Sequence, residues 1–212
     1  MKMGSEEVST KIKNYDHLVE IAPKHATVFF GDSITDLCPI EDLYAPYVEK
    51  SGTSVINRGI SSEKTASMLG RIEKEIIPLQ PKNLVMLMGI NDIFEGREPE
   101  EIKANIEKMI QLMQTKSPDT HLILQAIYPI NEADRDTFYE KMMMKGNGNQ
   151  SVKETNILLK ELAAQYDITY LNMNDKLIDE NGNLKHEYAY DGLHPNTAGY
   201  LVIRDEVMKV LH

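Results

Sequence analysis

Five short apolar runs punctuate the chain, and the apolar residues between them recur at helical spacing. The runs cover 26–30, 53–57, 84–88, 121–126 and 168–171 and are rich in β-branched, aromatic and aliphatic residues, so they read as buried strands. The run Leu-Val-Met-Leu-Met at 84–88 has no polar alternation, as expected of a parallel strand covered on both faces. Between the runs, spacing predicts helices over 15–21, 63–77, 99–113, 152–166 and 196–211. Pro23 and Pro78 stop the first two, Pro99 opens the third, and Asn196 or Thr197 caps the last. Residues 1–12 read as loosely ordered and 36–50 as mixed. Residues 129–150 read as an irregular insertion near the site; it contains Met142, Met143 and Met144, which read as packing, with a lid as the alternative. Strands alternating with helices predict an α/β fold, a five-stranded parallel sheet with helices on both faces, in one domain over 1–212.

Composition narrows the partners. With 212 residues, 42% hydrophobic, the chain can bury a full core. A net charge of -10 argues against nucleic acid and against stable association with an anionic membrane, both of which favour basic surfaces. Cys38 is the only cysteine, so no disulfide forms within the chain. With no apolar leader before Tyr15, this gives a cytoplasmic expectation.

The chemistry gathers where strands end. Three runs stop at polar loops: Gly31-Asp32-Ser33, Asn57-Arg58-Gly59 and Gly89-Ile90-Asn91-Asp92. In a parallel sheet these ends share one edge. A fourth loop carries Asp191 and His194, three apart across Gly192. That spacing lets the carboxylate reach the Nδ1–H of the histidine, leaving Nε2 to take the Ser33 proton. Ser33 is then the expected nucleophile, His194 the base and Asp191 its orienting partner. Donors for an oxyanion are the Ser33 N–H, the Gly59 N–H and the Asn91 amide. Asp32 and Asp92 read as supporting residues that brace loops.

Taken together, the blocks G-D-S-I-T (31–35), N-R-G-I-S (57–61), G-I-N-D (89–92) and D-G-L-H-P (191–195) resemble the SGNH hydrolases, the GDSL-type esterase/lipase family. The resemblance spans 31 to 195 and leans toward compact bacterial acylhydrolases similar to platelet-activating-factor acetylhydrolase subunits. It implies a flavodoxin-like three-layer α/β/α sandwich and ester hydrolysis with no metal or other cofactor. It also implies Ser33, Asp191 and His194 as the triad, with Ser33, Gly59 and Asn91 as the oxyanion hole. The expected substrate is a small short-chain acyl, acetyl-like ester, on a sugar, a lysolipid or another alcohol; a homo-oligomer is compatible with the sequence. Two other readings stay open. Asp32, Asp36, Asn91, Asp92 and His194 offer metal ligands for a phosphoesterase. A non-catalytic binding protein on the same fold is the second. The first loop lacks the glycine-rich cradle of a nucleotide-binding protein.

Overall fold

The computed structural model describes residues 5–132 and 148–212. Its five strands are β1 (Thr27–Gly31), β2 (Val55–Gly59), β3 (Asn83–Leu87), β4 (His121–Gln125) and β5 (Thr169–Leu171). They pair in the order β2-β1-β3-β4-β5, all parallel. This is the flavodoxin-like order, in which the chain switches direction between β1 and β3. Gly31 lies level with Gly59 on one side and Leu87 on the other. The three polar loops therefore leave the sheet side by side at the switch point. β1 and β3 are buried at every position; the polar residues that open them satisfy each other, Asn83 donating to Thr27 Oγ1 at 2.9 Å.

The helices among the described residues are α1 (Ser5–Leu18), α2 (Ser33–Asp36), α3 (Ile40–Leu43), α4 (Ala45–Ser51), α5 (Thr65–Arg71), α6 (Ile90–Phe94), α7 (Pro99–Lys116), α8 (Asn149–Gln165), α9 (Asn174–Leu177) and α10 (Thr197–Val207). In α7, Ile102, Ile106, Met109, Ile110 and Met113 form the buried stripe that the sequence spacing predicts. The helix packs beside both α5 and α8. Asn196 caps α10 by accepting the Gly199 N–H at 3.1 Å. None of the described helices is long and apolar enough to cross a membrane.

Two expectations change. The lead-in is already helical from Ser5, ten residues before the expected start at 15. The helix expected over 63–77 begins as α5 at Thr65, widens to a π-turn over Ile72–Ile76 and ends in a 3₁₀ turn at Ile77–Leu79. At its start Asp92, from α6, accepts the Thr65 N–H at 3.0 Å. The Met142–Met144 segment lies outside the described residues. At its edges Asn149 takes the Ile130 N–H and donates to the Ile130 carbonyl, both at 2.8 Å, tying the start of α8 to the chain after β4.

Candidate active site

Ser33 is the first residue of α2, directly after β1. The turn between them is tight: a Cβ on Gly31 would stand 2.3 Å from the Leu87 carbonyl oxygen and 2.3 Å from Thr35 Oγ1. Only glycine fits. Asp32 caps α2, its Oδ1 accepting the Ile34 N–H at 3.0 Å. The Ser33 N–H, at the first helical position, has no acceptor within the helix.

His194 comes from the loop before α10. Its Nε2 lies 2.9 Å from Ser33 Oγ, and its Nδ1 lies 2.8 Å from Asp191 Oδ2. Asp191 Oδ1 also accepts the backbone N–H of His194 at 2.8 Å and of Leu193 at 3.1 Å. The carboxylate thus folds the loop and aims the ring at once. Gly192, at φ +78, makes the reversal, and its carbonyl accepts the Asn131 N–H at 2.8 Å. With Asp191 accepting at Nδ1, Nε2 is left as the acceptor for the Ser33 hydroxyl. Burial pushes the Asp191 carboxyl up, but its bonds from the His194 ring and the two N–H groups outweigh this and hold it below the ordinary value. Ser33 and His194 are only 6% and 4% exposed, so the pair is shielded from solvent. The structure therefore brings together residues 161 positions apart, in the order hydroxyl, imidazole, carboxylate.

Asn91 sits in α6, behind Gly89 at φ +118. One of its amide hydrogens goes to the Glu63 carbonyl at 3.0 Å, which leaves the other to be offered elsewhere. Asp92 grips Thr65 through the N–H at 3.0 Å and the hydroxyl at 2.7 Å, a loop brace of the expected kind.

Gly59 departs from expectation. Its N–H donates to Asn57 Oδ1 at 2.8 Å, so this hydrogen is already committed. Its importance is steric: a Cβ there would meet the Asp36 nitrogen at 2.3 Å and the Thr35 carbonyl carbon at 2.7 Å. The residue sequence reasoning missed is Ser62, three positions on. It is half-buried, holds φ +67, and its N–H finds no acceptor among the described residues. Nothing in the sequence marks it, because left-handed backbone is signalled by glycine or asparagine and not by serine.

Of the ligands considered for a metal, Asp36, Asp92 and His194 are engaged in protein contacts. Asp36 pairs with Lys11 through Oδ1 and takes the Ser61 hydroxyl and N–H on Oδ2. Asp92 is spent on Thr65, and both His194 nitrogens are engaged. Among the described residues no three His, Cys, Asp or Glu side chains gather to hold an ion.

Asp32 carries a cost. Its Oδ2 is buried with no hydrogen-bond partner among the described residues. Burial, opposed by the Ile34 N–H and the nearby His194, pushes its carboxyl up to about 7. The fold therefore favours the protonated acid. That share of stability is full below the ordinary carboxyl range and is lost as the pH rises through about 7. Asp32→Asn keeps an oxygen for the Ile34 N–H and removes the charge. The variant should melt higher than the wild type by a few °C at about pH 8, with the gap closing or reversing near pH 4. Thermal melts at both pH values decide it; a pH-independent difference rules out the buried charge as the cause.

The model of the GDSL-like Lipase/Acylhydrolase family matches residues 29–202. The chain belongs to this family. It is a carboxylic ester hydrolase, and its α/β fold is that of its solved relatives. Rat platelet-activating factor acetylhydrolase IB subunit alpha2 is 24% identical over 186 residues, covering 87% of this chain and 73% of that protein. N-acylneuraminate cytidylyltransferase of Escherichia coli is 26% identical over 189 residues. The match covers 85% of this chain but only 41% of that longer protein. Among solved structures, a Streptococcus pneumonia protein described provisionally as a platelet activating factor superposes with a TM-score of 0.86 at 28% identity, covering 98% of this chain and 94% of its own.

Proposed function

We propose that this GDSL-type enzyme cleaves short-chain, acetyl-like esters through an acyl-enzyme on Ser33. The observation that carries the reading is the unbroken contact from Ser33 Oγ to His194 Nε2 at 2.9 Å and from His194 Nδ1 to Asp191 Oδ2 at 2.8 Å. Ser33 Oγ attacks the ester carbonyl as its proton passes to Nε2. The imidazolium so formed is balanced by Asp191, whose carboxyl is held in its ionised form. Collapse of the tetrahedral adduct expels the alcohol oxygen, which takes the proton from Nε2. Water then repeats the sequence on the acyl-enzyme, with His194 accepting its proton and returning it to Ser33, and the acid leaves.

The adduct's negative oxygen needs donors already in place. The Ser33 N–H and the second Asn91 amide hydrogen are two. In place of Gly59, the third is the Ser62 N–H. Asn91 bonds to the carbonyl of Glu63, the next residue, so the amide and this loop are neighbours.

The acyl preference is argued from enclosure and likeness. The reacting hydroxyl and imidazole lie almost wholly beneath the surface, which suits a small acyl group. The rat relative is, by name, an acetylhydrolase. The test is a series of p-nitrophenyl esters. The value of kcat/KM should fall by about tenfold or more from acetate to octanoate, since a closed acyl site rejects added methylenes by steric overlap. A rise with chain length overturns the acetyl-like assignment and leaves the ester chemistry standing.

A further inference from the structure

The loop between β2 and α5 holds a strained residue and is gripped from both ends. Ser62, at φ +67, occupies a region that a side-chain-bearing residue keeps only when its surroundings impose it. One residue earlier, Ser61 gives its N–H at 2.9 Å and its hydroxyl at 2.7 Å to Asp36 Oδ2. Three residues later, Thr65 gives the same two donors to Asp92. Between them Glu63 is anchored through both backbone and side chain. Its carbonyl takes the Asn91 amide, and its side chain faces Arg71, with Oε1 3.2 Å from Nε. Of the two carboxylate grips, the one at Asp36 has a special location. Asp36 is the last residue of α2, the short helix that opens with Ser33.

We infer that Asp36 is a positioning residue for ester hydrolysis: from the helix that carries the nucleophile, it fixes the Ser61–Ser62 peptide so that the Ser62 N–H points at the forming oxyanion. The inference rests on the acyl-enzyme reading above. Asp36 touches neither substrate nor reacting atoms; it acts through Ser61. Binding nucleophile and donor loop to one rigid turn keeps their separation constant through the reaction, and small misplacements of such groups are costly to rate. Because the oxyanion exists only in the transition state and its adduct, losing the grip should lower kcat and spare KM.

The experiment measures kcat and KM on p-nitrophenyl acetate, beside melting curves that confirm each variant is folded at the assay temperature. Asp36→Ala should lower kcat by about 10- to 100-fold with KM within about threefold. Asp36→Asn retains an acceptor for Ser61 and should recover part of the loss. Lys11→Met, which frees only Oδ1, should stay within about threefold of the wild type. In a Ser62→Gly background the left-handed backbone is accessible without a grip, so the Asp36→Ala penalty should shrink by about threefold or more. Should Asp36→Ala fail to fold, Ser61→Ala removes one of the two bonds and should still lower kcat by about 3- to 10-fold. Unchanged kcat in Asp36→Ala or Ser61→Ala, a loss confined to KM, a Lys11→Met loss equal to that of Asp36→Ala, or equal penalties in both backgrounds each overturn the inference. Ser33→Ala, run alongside, separates the failures: if it stays active the nucleophile reading falls, and if it is dead while Asp36→Ala is normal only the positioning role falls.

Discussion

Ser33→Ala should abolish hydrolysis of p-nitrophenyl acetate, with a loss of about 10⁴-fold or more in kcat. On the acyl-enzyme reading the Ser33 hydroxyl forms the acyl bond, and His194 Nε2 lies 2.9 Å away to take its proton. The fold should survive. Alanine suits the first turn of a helix, and the cap from Asp32 Oδ1 to the Ile34 N–H is untouched. The remaining cost is the loss of the Ser33–His194 hydrogen bond, about 0.5–1.5 kcal/mol. Circular dichroism and turnover on one preparation settle the matter. Activity within about tenfold of the wild type would remove Ser33 from the chemistry.

The second large effect is structural and lies at Gly59. Gly59→Ala places a methyl carbon 2.3 Å from the Asp36 nitrogen and 2.7 Å from its Cα. These are backbone atoms and cannot turn aside as a side-chain tip could. Either β2 or α2 must move, and α2 carries Ser33. Overpacking of this kind costs about 3 kcal/mol, enough to lower the melting temperature by roughly 6–12 °C. Activity should fall with it, although the Gly59 N–H itself is retained. Gly70, inside α5, is the control: a Cβ there meets nothing within 4 Å. Gly70→Ala should be neutral or raise stability by about 0.5–1 kcal/mol. Equal melting temperatures for the two variants would show that the close approach of β2 to α2 is not the constraint.

The Gly59 result also shows where sequence reading stops. A glycine directly after a buried strand invites the view that its N–H is bare. What takes that hydrogen is Asn57, two residues earlier, whose side chain folds back onto the backbone as Asn does in tight turns. The same side chain donates to the Thr35 carbonyl at 2.9 Å, so it ties β2 to the nucleophile helix. Glu63, Arg71 and Glu75 were equally opaque. Along the chain they sit on the polar side of an amphipathic pattern. In the fold they are 2%, 3% and 0% exposed and form a charged cluster beneath the donor loop. Periodicity records which residues are apolar, not which charges find partners and can be buried. Burial, only partly offset by Arg71, pushes the Glu75 carboxyl up to about 7, a shift no sequence pattern announces.

By itself the sequence determined the layered α/β architecture, the parallel strands and the loops that carry the chemistry. Buried strands demand continuous apolar runs, covering helices demand apolar stripes, and strand ends in a parallel sheet must share an edge. It also favoured the pairing of Asp191 with His194, because a spacing of three across a glycine lets the carboxylate reach Nδ1. Only the tertiary structure decided that His194 reaches Ser33, that Asn57 takes the Gly59 N–H, and that the Ser62 N–H finds no acceptor among the described residues. The first of these depends on distances between segments far apart in the chain. Those distances are set by how helices and loops pack on the sheet, through contacts such as Asp36 with Ser61 and Asp92 with Thr65, which no local pattern encodes.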